Sequence, residues 1–90
     1  MTERAAERFL TEVRAEWRGA SKVWRPLHSP HEAAAVIKEE YDEFWDEVKR
    51  KPHDKIAMLQ ELTQVAAMCV RAVVDLRLSA ETNCEELSRP

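Results

Sequence analysis

Pro52 constrains this chain more than any other residue, because it separates two long helical windows with almost no room between them. A proline cannot continue a helix and disfavours helical geometry at the residue before it. The windows on either side are well marked. Ser29-Pro30-x-Glu32 reads as an N-cap, a proline suited to the first helical position and a capping box, so a helix starts there and runs to about Lys51. Asp54 caps the next one, which extends to about Leu78. Two long helices joined at Pro52 make an αα-hairpin. Upstream, Phe9, Leu10, Val13 and Trp17 recur at helical spacing, predicting an amphipathic helix over 2–18 that ends near Gly19. Residues 19–30, with Pro26 and Pro30, form an irregular connection, and 79–90 is a short helix or tail. With one glycine in 90 residues, Gly-rich phosphate loops and β-sandwiches are disfavoured. The fold class is all-α: a single domain over 1–90 with a core hairpin at 29–78 and an N-terminal helix.

The window 65–74 is apolar nearly all the way round, which predicts burial on more than one side. Three helices cannot cover it, so the expected assembly is a homodimer or homotetramer with a four-helix-type bundle core. Cys69 is expected to pack in that core and Met58 and Met68 at the interface; with Cys84 the cysteines are too few for a disulfide framework and fit a reducing cytoplasm. No window approaches 18 consecutive apolar residues, so no membrane span or export signal is expected. Nor is there a basic stripe for a nucleic acid polymer. Instead the acid is concentrated: residues 31–50 carry seven acidic and three basic side chains.

Some of those acids lie on the wrong side of their helix. At 100° per residue, Ala33, Val36, Ile37, Tyr41, Phe44 and Val48 define the core face of the second helix; Glu40 and Glu47 fall within or against that arc and Glu43 beside it. A carboxylate turned toward an interface needs a proton, a basic partner or a cation. Counting outward from Pro52 places Glu43 level with Glu61 and Glu40 level with Gln64, giving a four-cornered oxygen cluster across the hairpin. Hard oxygen donors suit Mg²⁺, with Mn²⁺ as a substitute. A Glu-rich window that is only a solvated face is the competing reading. His28, His31 and His53 share no ligand spacing and are assigned capping or surface roles. Among Trp17, Trp24 and Trp45, expected mainly in the core, Trp24 stands in the Pro-rich connection and is kept as a ligand contact.

Glu40-x-x-Glu43 followed by Glu61-x-x-Gln64 resembles the signature of the MazG-like all-α nucleoside triphosphate pyrophosphohydrolases, Glu-x-x-Glu and then Glu-x-x-Asp on two helices of a hairpin. The resemblance covers roughly residues 29–78. It implies that Glu40, Glu43, Glu61 and Gln64 bind Mg²⁺, and that the protein converts a nucleoside triphosphate to a monophosphate and pyrophosphate. Glu47, one turn beyond Glu43, is added as a further ligand or general base, and Lys55 and Arg71 as phosphate contacts. The sequence departs from the family at Gln64, which replaces Asp, and at Met68, where a polar Asn is common. A homo-oligomeric nucleotide- or cation-binding module with weak or no turnover is the alternative.

Overall fold

The computed structural model describes residues 2–78. It is all-helical there, with α1 at Thr2–Val23, α2 at Pro30–Lys49 and α3 at Lys55–Asp75. The expected tail at 79–90, with Cys84, lies outside the described residues.

The caps of the hairpin follow from its sequence. The Ser29 hydroxyl accepts from the Glu32 N–H at 3.0 Å, and an Asp54 carboxylate oxygen accepts from the Ala57 N–H at 3.1 Å. Each satisfies one of the backbone donors left over at a helix start. Three ends differ from expectation. α1 continues through Gly19 to Val23, because Ala20 packs against the core and the Ala20 carbonyl still accepts a hydrogen bond from Trp24. That packing outweighs the ~1 kcal/mol cost of glycine inside a helix. α2 stops at Lys49, with Arg50 extended as its C-cap, since Pro52 disfavours helix at Lys51. α3 stops at Asp75 in a Schellman closure: Arg77 takes a left-handed φ of 56°, and the Leu78 and Arg77 amides donate to the carbonyls of Val73 and Val74.

α3 is the spine. It packs against both other helices, whereas no Cα of α1 comes within 8 Å of one in α2. Val13 of α1 meets Ala67 and Met68 of α3, flanked by Phe9, Trp17, Val36 and Ile37. A second small core joins Leu27, Ala33 and Ala72. α1 and α2 therefore stand as two walls over α3.

Several expected core residues lie outside it. Cys69 is exposed, because the buried positions Ala67, Met68, Arg71 and Ala72 turn α3 so that Cys69 faces away from both neighbours. On the same outward side Leu59, Leu62 and Val73 remain 39–53% exposed. Tyr41 and Trp45 on α2 are also half exposed, Trp45 lying beneath the Lys49 ammonium at 5.8 Å. By length and composition α3 is apolar enough to cross a membrane, although Glu61 and Arg71 interrupt it.

Candidate metal centre

Glu40 and Glu43 are one turn apart on α2, and Glu61 comes from the facing stretch of α3. Each offers an oxygen within 4.8 Å of the others. The hairpin register thus brings together three of the four expected corners. Glu40 and Glu61 are partly buried, and one Glu61 oxygen, Oε2, is wholly shielded from solvent without a hydrogen-bond partner. Burial, reinforced by the Glu43 and Glu61 carboxylates, pushes the Glu40 carboxyl up from 4.5 to about 7. Glu61 is also pushed up, by burial first and then by Glu43 and Glu47. Such a cluster holds either protons or a cation. Adjacent oxygens on an octahedral Mg²⁺ shell are about 2.9 Å apart and opposite ones about 4.2 Å, so the three carboxylates would draw together to hold one ion.

The other expected residues are distributed around this triad. Gln64, one turn after Glu61, lines a groove with Glu40 and a smaller depression with Glu61, which leaves it bordering both. Glu47 has a side chain only 18% exposed and is salt-bridged to Arg50 at 3.1 Å, so it reaches Glu61 by charge while already holding a basic partner. Lys55 lies in a depression formed by the hairpin turn, about 9 Å along α3 from Glu61. The His53 ring nitrogen is 3.0 Å from the carbonyl of Val48, a capping contact at the end of α2.

Trp24 and Arg71 line the groove that Gln64 and Glu40 share, an open space of about 650 Å³ with α1 and α2 as walls and α3 as floor. They differ in availability. Trp24 is 65% exposed. Arg71 is only 5% exposed, and its guanidinium donates to the Arg25 carbonyl at 2.9 Å and to the Met68 sulfur at 3.6 Å. Those two nitrogens hold protein groups, while Nε is buried without a hydrogen-bond partner, 3.9 Å from the Asp75 carboxylate; Arg71 is therefore mainly a structural cation at the groove floor rather than a free phosphate clamp. Met68 is itself buried in the core, not at an outer interface.

Glu12 and Glu16 of α1 were not singled out by the sequence. Glu16 borders both the groove and the depression beside Glu61, where Glu12 joins it. The signal was present: taking Phe9 as zero on the α1 wheel, Val13, Trp17 and Ala20 fall at about 40°, 80° and 20°, and Glu16 at about 340°. It is misplaced on its helix in the same way as Glu40. No protein-family model, curated protein or solved structure matches the chain.

Proposed function

We propose that this protein is a Mg²⁺-dependent nucleoside triphosphate pyrophosphohydrolase of the MazG-like kind, working in the cytoplasm as a homodimer or homotetramer. The convergence of the Glu40, Glu43 and Glu61 carboxylates within 4.8 Å carries this reading, together with the position of Glu40 at the edge of a groove large enough for a small molecule. A triphosphate carries about four negative charges, and an acidic cleft accepts it only with a cation between them. Glu40, Glu43 and Glu61 hold the Mg²⁺, with Gln64 supplying a carbonyl ligand or an amide donor to a phosphate oxygen. The ion supplies neutralisation of phosphate charge and acidification of the attacking water. Water adds at the α-phosphorus, the α–β P–O bond breaks, and pyrophosphate leaves with the bond electrons. Glu47 accepts the water proton. Trp24 contacts the nucleoside end, and Lys55 and Arg71 contribute positive potential.

Two observations favour the alternative of a nucleotide- or cation-binding module without turnover: the neutral Gln64 corner, and the engagement of Glu47 by Arg50. Incubation with a nucleotide panel and Mg²⁺ or Mn²⁺ separates them. Monophosphate and pyrophosphate in equal amounts support the enzyme. Metal-dependent nucleotide binding without pyrophosphate supports the module, and neither metal nor nucleotide binding leaves a solvated acidic face.

A further inference from the structure

The non-helical wall of the groove is the connection 24–29, and it is fastened to α3 by two side chains one turn apart. Arg71 donates to the Arg25 carbonyl at 2.9 Å, and Asp75 accepts from the Leu27 N–H at 2.9 Å. Arg71 and Asp75 face each other at 3.9 Å with side chains 7% and 14% exposed. Leu27 is buried against Ala33 and Ala72, and Glu32 ties the other side of the segment by accepting from the His28 N–H at 2.7 Å and from Arg25 at 3.0 Å. These contacts satisfy the N–H of the buried Leu27 and the start of α2. They also fix the placement of Trp24 and Arg25, which line the groove with Leu27, Val36 and Met68. This end carries the Trp24 ring and the apolar Leu27, Val36 and Met68 side chains beside the charged Arg25, Glu32 and Arg71; Glu40 of the triad borders the same groove, and Glu61 lies about 15 Å from Arg71 along α3, a separation comparable to the reach of an extended nucleotide.

We propose that the 24–29 connection receives the nucleoside end of the substrate, and that Asp75 is a positioning residue that sets it by holding Leu27 and Arg71. The occupant at this end is a flat nucleobase, recognised by an aromatic ring and apolar walls. This rests on the pyrophosphohydrolase reading. Asp75 touches neither substrate nor metal; it acts through the connection.

The test compares wild type, Asp75→Ala, Asp75→Asn and Trp24→Ala by steady-state pyrophosphate release and by calorimetric Mn²⁺ titration. Asp75→Ala is expected to raise KM for the nucleotide about tenfold, with kcat within about twofold and Mn²⁺ affinity unchanged. Trp24→Ala should reproduce the KM effect. Asp75→Asn, whose amide oxygen still accepts from Leu27, should recover most of the loss. An unchanged KM in folded Asp75→Ala overturns the proposal, as does a parallel loss of kcat and Mn²⁺ affinity. If Asp75→Ala does not fold, unchanged KM in both Asp75→Asn and Trp24→Ala overturns it equally. A wild type that neither turns over nor binds nucleotides removes the underlying reading, a result distinct from an active wild type with indifferent variants.

Discussion

Glu40 of α2 and Glu61 of α3 face each other across the hairpin with carboxylate oxygens within 4.8 Å, and both are driven toward their protonated forms, by burial before anything else. Glu43 adds to the push on each. The metal-free protein therefore carries a built-in conflict at neutral pH, which a proton or a cation relieves.

The conflict has a definite pH sign. A carboxyl raised from 4.5 to about 7 stabilises the fold fully below 4.5, and that stability is lost as pH rises toward 7. The metal-free protein should melt about 5 °C higher at pH 5 than at pH 8. Mg²⁺ should restore the difference at pH 8 and do little at pH 5, where protons occupy the site. Calorimetric melting curves with and without Mg²⁺ check both, and Glu40→Gln should flatten the pH dependence.

Glu43→Gln removes the exposed member of the triad and the charge that presses on both others. The variant should be more heat-stable than wild type without metal, and should bind Mn²⁺ about tenfold more weakly, a loss of about 1.4 kcal/mol. Equal Mn²⁺ affinity would exclude Glu43 as a ligand.

Gln64→Asp tests the departure from the family pattern. A fourth carboxylate beside Glu40 and Glu61 should lower the melting temperature of the metal-free protein and tighten Mg²⁺ binding, with pyrophosphate release equal to or above wild type. On a solvated face the same change would shift stability by only about 0.5 kcal/mol and leave Mg²⁺ affinity untouched.

The proposed self-association would cover Leu59, Leu62 and Val73, exposed apolar side chains of α3. Light scattering at micromolar concentration should give a dimer or tetramer, and Leu62→Glu should shift the mass toward 10.5 kDa. A wild-type mass of one chain would refute the assembly.

Two substitutions address the helix ends. Nothing lies within 4 Å of a Cβ built at Gly19, so Gly19→Ala should stabilise α1 by about 0.5–1 kcal/mol. Arg77→Gly relieves a left-handed non-glycine residue and should stabilise by up to about 1 kcal/mol. Urea denaturation midpoints measure each.

The hairpin was readable because its signals are local: a hydroxyl cap at Ser29, a proline stop at Pro52 and a carboxylate cap at Asp54. The triad was readable for a related reason, since a helix pair with a known turn fixes which residues lie level. What was not readable depends on tertiary choice. Gly19 looked like an end because nothing in the local sequence shows Ala20 packing on α3. The stop after Asp75 was invisible without glycine at Arg77. Cys69 and Arg71 exchanged their expected environments because the all-round apolar pattern of α3 does not reveal which side its neighbours take. Arg71 then became the buried partner of a backbone carbonyl, which only the placement of the 24–29 connection could disclose.

α1 and α2 each pack along α3, and no Cα of one comes within 8 Å of the other, so the two walls are joined only through the shared side-chain cluster around Val13, Val36 and Ile37 and through the 24–29 connection. A molecule filling the groove would add a further wall-to-wall contact, and so would act as a structural brace as well as a ligand. Its arrival should slow amide exchange along the facing sides of α1 and α2 together.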